Sequence, residues 1–360
     1  VLLADMQLSI ASMLPALEAL QETAVVVALP MRTRFRGQTR REAMLFRGPA
    51  GWGEFAPFSE YGPQESARWL AAGIEAAWNG LGRPRRETIP VNAIMPAVPA
   101  AEVAEVLTRS GDPSAIPAVK IKVAEPGQSH DDDVARLKEV RRLAPGAGIR
   151  VDANAAWSIP QAVRALAEFA EIAGDRFEYA EQPVQGVEAL TELREALARD
   201  GTPVPLAADE AVRKTSDPLR VVRLGAADLL IVKVPPLGGV TAAMELVAAA
   251  GLPAVVSSAL DTSVGLAAGV ALAARLPELP YACGLGTGTL LAGDVTAAPL
   301  IPDKGALQVP VARQADGDVV VTPSAPEPHL LATHRVTGER ERWWRQRLQE
   351  AHRILQTSGA

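Results

Sequence analysis

The sequence predicts an α/β protein built on a closed parallel barrel of the TIM type, preceded by a smaller α+β unit. Two observations carry this. From about residue 91, eight short β-rich runs alternate with helix-like stretches, the pattern of a parallel barrel. Charged residues also recur at the ends of successive runs: Lys120 and Lys122 in AVKIKV, Asp152 in IRVDAN, Glu181 in FEYAEQP, Asp209 in PLAADE and Lys233 in LLIVKVP. The gaps from Lys122 onward are 30, 29, 28 and 24 residues, each the length of one strand-plus-helix unit. Parallel strands are normally near-continuous apolar runs, and an unpaired buried charge is expensive. Charges repeated at one end of the strands therefore serve chemistry rather than the core.

In chain order, residues 25–55 hold two strand-like runs, 43–47 and 52–55, on either side of Gly48-Pro49-Ala50-Gly51, which reads as a hairpin. Helical periodicity follows at Ala67, Leu70, Ile74 and Ala77 and is stopped by Asn79-Gly80. Barrel strands are expected near 91–95, 117–123, 148–153, 177–181, 204–208, 228–234, 253–257 and 281–285. Between them, Ser129 with Asp131, Asp132 and Asp133 opens a helix that Arg141, Arg142 and Gly146 close, and Ser158 with Pro160 opens the next. After about residue 300 a Pro-rich, irregular stretch leads into a helix on which Trp344, Leu348, Ala351 and Leu355 share a face. That face is expected to pack back on the N-terminal unit, so that 1–88 and 300–360 form one α+β domain and 89–299 the catalytic barrel.

Composition narrows the partners. The 360 residues, 48% of them hydrophobic, suffice for a large barrel and a second unit. A net charge of −6 and a pI near 5.5 argue against nucleic acid or an anionic membrane as partner. No apolar run approaches the roughly 20 residues that span a bilayer. Asp5 and Glu18 interrupt the N-terminal apolar segment and no basic region precedes it, so no signal peptide is expected. With a single cysteine, Cys283, the default compartment is the cytoplasm. A small-molecule carboxylate is the expected partner, and oligomeric state stays open.

In a barrel the C-terminal strand ends converge on one mouth, so Asp152, Glu181 and Asp209 point toward a common spot. A hard divalent cation would resolve their mutual repulsion, and oxygen-only ligands suit Mg²⁺, with Mn²⁺ as a substitute. The four histidines, His130, His329, His334 and His352, stand at no strand end, which excludes a histidine-rich zinc site. Lys120 and Lys122 are two apart on one strand and project to the same side, while Ile121 faces the helices. A lysine is a poor base near its ordinary value of about 10.4, and a second ammonium with a nearby metal would lower it. Lys233 should arrive from the far side of the barrel. A base beside a metal-bound carboxylate suggests removal of the α-proton to leave an enediolate. General-base catalysis supplies about 10² to 10⁴-fold, so electrostatic stabilisation must carry most of the acceleration.

VKIKV, VDANAAW, EQP, ADE and VKVPPLGG, in this order and spacing, resemble the enolase superfamily, and the K-x-K form resembles its muconate-lactonizing-enzyme subgroup. The likeness covers nearly the whole chain and implies a modified (β/α)7β-type barrel with a capping domain made from both termini. GWGEFAPFSEYG resembles the cap segment, RTRFRGQT the mobile loop and SSALDTSVGLA the seventh strand end. Within the subgroup the cap segments and SSALDTSVG resemble the o-succinylbenzoate synthase family most. That resemblance implies Mg²⁺-dependent syn-dehydration of 2-succinyl-6-hydroxy-2,4-cyclohexadiene-1-carboxylate in menaquinone biosynthesis. It implies Asp152, Glu181 and Asp209 as metal ligands and Lys122 as the base that returns its proton to the leaving hydroxyl. Lys120 would hold the substrate carboxylate, and Lys233 would lie over the ring face as a cation-π partner. Asn154, Gln182 and Glu210 are candidates for orienting ligands or lysines.

Ser257 and Ser258, with Gly284 and Gly286 of the Gly-rich 284–288 segment, are candidates for binding a second substrate carboxylate beyond strands seven and eight; an ordinary tight turn with a hydroxyl cap explains them as well. The same segment lacks the spacing of a dinucleotide fingerprint, which excludes NAD. Arg32, Arg34 and Arg36 alternate and could face a dicarboxylate or simply charge a strand edge. Trp343 and Trp344 read as packing anchors. Rival functions stay open: an N-succinylamino acid racemase or dipeptide epimerase using Lys122 and Lys233 as opposed bases, a muconate cycloisomerase, a Schiff-base aldolase-like barrel on Lys233, or a non-catalytic barrel.

Overall fold

The computed structural model describes residues 14–35, 37–215 and 217–358. The sequence expectations placed on Asp5 and Arg36 fall outside them. The cap begins with an antiparallel sheet of β1 (Val25–Phe35), β2 (Gln38–Gly48) and β3 (Gly51–Phe55). β2 and β3 pair from Met44 opposite Phe55 to Gly48 opposite Gly51, leaving Pro49-Ala50 as the turn. Helix Pro63–Ile74 lies across this sheet. The approach is close enough that a Cβ on Gly53 would sit 2.1 Å from the Gly73 carbonyl oxygen, so only glycine fits there. The C-terminal helix Glu339–Ser358 completes the cap core. Its Trp344 and Leu348 are buried with Phe46, Phe55, Trp69 and Leu70, Leu355 packs at the margin, and Trp344 Nε1 donates to Glu42 Oε2 at 2.9 Å.

After β4 (Thr88–Pro90) come seven parallel strands that neighbour one another in sequence order: β5 (Ala93–Met95), β6 (Ala118–Lys122), β7 (Gly148–Asp152), β8 (Phe177–Glu181), β9 (Leu206–Ala208), β10 (Leu229–Lys233) and β11 (Ala254–Ser257). Both anticipated helix starts are present: Ser129 with Asp132 and Ser158 with Gln161 form capping boxes, each side chain satisfying the other's exposed backbone N–H. The eighth run, expected as a strand near 281–285, closes the barrel through single parallel bridges, Val91 with Cys283 and Ser257 with Gly284. Cys283 N donates to Pro90 O at 2.7 Å and Gly284 N to Val256 O at 2.8 Å. Glycine weakens a strand, and the chain turns at once into the short helix Gly286–Leu290.

One stretch departs from the expected partition. The Pro-rich segment after residue 300 contains β12 (Ala306–Gln308), β13 (Val311–Arg313) and β14 (Val319–Val321). β12 pairs with β4, and Leu307, Val309 and Val321 are buried in the barrel's core rather than the cap's. The physical reason is Ile89: β4 lies outside the barrel sheet, and Leu307 is its partner across the β12 ladder.

Candidate active site

The inward-facing residues of β6, β7 and β10 put their charged ends into one pocket roofed by the cap, with Glu181 of β8 bonded to Lys120 behind them. Lys120, Lys122, Asp152 and Lys233 line it, with Phe58, Tyr61 and Trp69 coming from the cap. Ile121, between the two lysines, packs in the outer layer, as the two-residue strand period requires. Lys122 stands opposite Asp152 in the β6–β7 ladder and Asp152 opposite Glu181 in the β7–β8 ladder. Asp209 follows β9 directly. The six predicted residues are therefore neighbours, and all are at most 8% exposed.

Their side chains form a chain of ion pairs. Lys120 Nζ donates to Asp152 Oδ2 at 2.9 Å and to both Glu181 oxygens at 3.0 Å. Lys122 Nζ reaches Asp152 Oδ2 at 3.1 Å, and Lys233 Nζ reaches Asp209 Oδ2 at 2.6 Å. Burial opposes the charge on Asp152, but the ammoniums of Lys120 and Lys122 outweigh it and hold the carboxyl well below its usual range. Burial also opposes the charge of Lys120, and there Asp152 and Glu181 win, raising the ammonium above its ordinary value. Glu181 is pushed up to about 7, by burial first and by Asp152 next. Lys120 is thus a fixed cation suited to holding an anion. Asp152 and Glu181, both within hydrogen-bond distance of its Nζ, are the source of the rise in its value.

Arg213 was missed by the sequence reading. Its Nε donates to Asp209 Oδ1 at 2.9 Å, one terminal nitrogen to Tyr61 Oη at 2.7 Å and the other to Glu210 Oε1 at 2.6 Å. Burial disfavours its charge, yet Asp209 and Glu210 raise the guanidinium further. The signal was present: Arg213 stands four residues after Asp209, one helical turn on. Asn154 Nδ2 donates to the same Glu210 oxygen at 3.3 Å, and its backbone N–H to Asp152 Oδ1 at 3.1 Å. Gln182 Oε1 accepts from the backbone N–H groups of Asp209 and Ala211, both at 3.0 Å. Asn154 and Gln182 adopt φ of 45° and 38°, backbone that a non-glycine residue holds only when its surroundings enforce it. Arg213 also lines the pocket, whereas Asn154 and Gln182 stand behind it.

The residues expected to form an anion site at the barrel's end are engaged with one another. Ser257 and Ser258 do line the pocket, but their hydroxyls donate to Gly284 O at 3.4 and 3.1 Å, and Ser258 Oγ also meets Thr287 Oγ1 at 2.7 Å. The Gly284 N–H is already donated to Val256 O. A Cβ on Gly286 would meet Asn92 O at 3.0 Å, so this glycine serves packing against the first strand. Barrel closure and the candidate anion site thus share Ser257, Ser258 and Gly284, all three of which line the pocket. Arg32 is likewise engaged, its Nε on Leu291 O at 2.9 Å.

Among the described residues no three acid side chains gather around one point as a ready chelate; the lysines lie between the carboxylates and neutralise them. The donor chemistry nonetheless fits a hard divalent cation. Three carboxylates come from adjacent strand ends without histidine or cysteine, and Glu181, driven upward by burial and by Asp152, is a group that added positive charge would relieve.

A seven-stranded parallel barrel under an α+β cap, with lysines and carboxylates at its strand ends, defines an enolase-type enzyme. Residues 99–313 match the enolase C-terminal domain-like family and residues 26–77 the enolase N-terminal domain-like family. The fold is that of muconate lactonizing enzyme from Pseudomonas fluorescens, with a TM-score of 0.70 at 20% identity over 87% of this chain and 98% of that one. It is equally that of 2-chloromuconate cycloisomerase from Rhodococcus opacus, with a TM-score of 0.69 at 22% identity over 88% and 98%. In sequence the chain is 51% identical to o-succinylbenzoate synthase of Thermobifida fusca, over 89% of this chain and 98% of that protein. It is 48% identical to that of Mycolicibacterium smegmatis, over 95% and 98%. The chain belongs to the enolase superfamily and, within it, to the o-succinylbenzoate synthase family.

Proposed function

We propose that the chain is an o-succinylbenzoate synthase, a lyase that removes water from 2-succinyl-6-hydroxy-2,4-cyclohexadiene-1-carboxylate in menaquinone biosynthesis in the cytoplasm. No helix among the described residues is long and apolar enough to cross a membrane. Asp152, Glu181 and Asp209 would hold Mg²⁺, or Mn²⁺ in its place, which supplies positive charge where the substrate carboxylate gains electron density. Lys122, as the neutral amine, takes the proton α to that carboxylate, and the C–H electron pair moves into the carboxylate to form the enediolate. The pair then returns, the carbon–oxygen bond to the ring hydroxyl breaks, and the Lys122 ammonium gives its proton to the departing oxygen on the same face. Water leaves, the ring becomes aromatic and Lys122 is regenerated. Lys120, kept charged by Asp152 and Glu181, pairs with the substrate carboxylate. Lys233 stands four strands from Lys122 in the sheet order, which in an eight-membered barrel is the opposite wall, and places a cation over the other ring face.

The observation that carries this reading is the facing pair Lys122 and Lys233, each seated against a strand-end carboxylate. The same geometry suits two-base racemisation of N-succinylamino acids. Steady-state rates with the cyclohexadiene acid and with N-succinylamino acids, each with and without Mg²⁺, decide between them. Dehydration should dominate; solvent-deuterium exchange into both enantiomers at rates above dehydration would reverse the assignment.

A further inference from the structure

A second buried charge cluster lies where the cap meets the loop after β11. Arg41, on β2, is only 4% exposed, yet its guanidinium reaches backbone carbonyls in two distant segments. It donates to Leu260 O at 3.0 Å and Ala259 O at 3.3 Å in the barrel loop, and to Ala56 O in the cap segment after β3. The guanidinium carbon lies 4.4 Å from the centre of the Phe58 ring. The acids beside it are bonded to the same loop. Glu54 accepts from Thr262 N at 3.1 Å and from Thr262 Oγ1 at 2.5 Å, and Asp261 Oδ2 accepts from Ala259 N at 3.0 Å. Within this clamp Leu260 holds a φ of 63°, a conformation that costs a non-glycine residue about 1 to 3 kcal/mol and persists only where the surroundings over-determine it.

Phe58, Ala259 and Leu260 all line the pocket that holds the catalytic lysines. Arg41 itself is absent from the lining; it touches the backs of both walls. We propose that Arg41 is a positioning residue that sets substrate affinity and selectivity, by fixing the cap wall at Phe58 and the barrel wall at Leu260 at one separation around the non-reacting part of the substrate. A planar guanidinium suits this because its donors are arranged in a rigid fork, whereas an ammonium is a point charge on a flexible stem. On this proposal the walls bind the non-reacting part uniformly in ground state and transition state, and loss of uniform binding raises KM and leaves kcat unchanged.

This inference rests on the dehydratase reading, and its test separates the two. Arg41→Lys keeps the positive charge between Glu54 and Asp261 and removes the fork. The expected result is a rise in KM of about tenfold with kcat within about threefold of wild type, and an equal weakening of equilibrium binding of o-succinylbenzoate measured by calorimetry. Thr262→Val loosens the same loop from Glu54 without touching Arg41 and should raise KM in the same direction by less; it serves also if Arg41→Lys fails to fold. Folded variants with unchanged KM and unchanged product affinity would overturn the proposal, as would a fall in kcat at constant KM. Wild-type protein that binds o-succinylbenzoate but does not dehydrate the cyclohexadiene acid would instead overturn the functional reading.

Discussion

The barrel mouth and the cap–barrel seam both bury carboxylates beside cations, and they use them in opposite ways. At the mouth the cations pair with the carboxylates themselves: Lys120, Lys122, Lys233 and Arg213 each lie within 3.1 Å of an acid oxygen. At the seam the guanidinium of Arg41 goes to backbone carbonyls, and Glu54 and Asp261 go to backbone or hydroxyl donors. The mouth is a store of exchangeable charge that an anionic substrate and a divalent cation can rearrange. The seam is a set of fixed distances between segments 219 residues apart. Charge that stays paired with charge can do chemistry, whereas charge committed to backbone sets geometry.

Four changes would break or sharpen that contrast. Chelation of divalent cations should have the largest effect, abolishing dehydration, with activity restored by Mg²⁺ or Mn²⁺; turnover that survives EDTA would leave the three carboxylates without their assigned role. Lys122→Ala should reduce turnover by about 10³-fold, within the range for loss of a general base, while calorimetry still detects o-succinylbenzoate binding. Arg213→Met should cost about 10 to 100-fold, seen as a higher Mg²⁺ requirement for half-maximal rate, because Asp209 and Glu210 lose the group that orients both.

The smallest effect belongs to the seam and is read in stability. Burial first, and Asp261 next, push the Glu54 carboxyl up to about 8 from an ordinary 4.5. Between those values the native state keeps a proton that the unfolded chain releases. The contribution of Glu54 to stability is therefore whole below 4.5 and falls as pH rises toward 8. Glu54→Gln cannot ionise, so its melting temperature relative to wild type should climb by a few degrees between about pH 5 and pH 8. A flat difference would mean that Arg41 keeps Glu54 ionised throughout and that the seam behaves like the mouth.

Much of the fold and the clustering of the six charged residues were legible in advance, for reasons visible in single residues. Lys120 and Lys122 two apart, and Asp152, Glu181 and Asp209 one strand-plus-helix unit apart, are periodic signals, and a barrel converts that period directly into proximity. Ser129 and Ser158 announced their helices because capping is a local interaction. The Pro-rich segment after residue 300 was harder: its three short strands carry no period of their own, and only the need to cover Ile89 makes β12 pair with β4. Arg213 lies on the short helix after Asp209 rather than at a strand end, so it stands outside the strand-end period, and its distance of four from Asp209 is its one local signal. Arg41 had no local signal at all.

By itself the sequence determined seven barrel strands, two capped helix starts and which six charges become neighbours, because each depends on hydrophobic period, caps and the fixed length of a β–α repeat. Tertiary structure alone decided how the barrel closes at Gly284, how Ser257 and Ser258 bond to that closure, and where Arg41 finds its carbonyls. Those outcomes depend on which backbone oxygens and N–H groups remain unsatisfied once the elements have packed, and that is known only after distant segments come together.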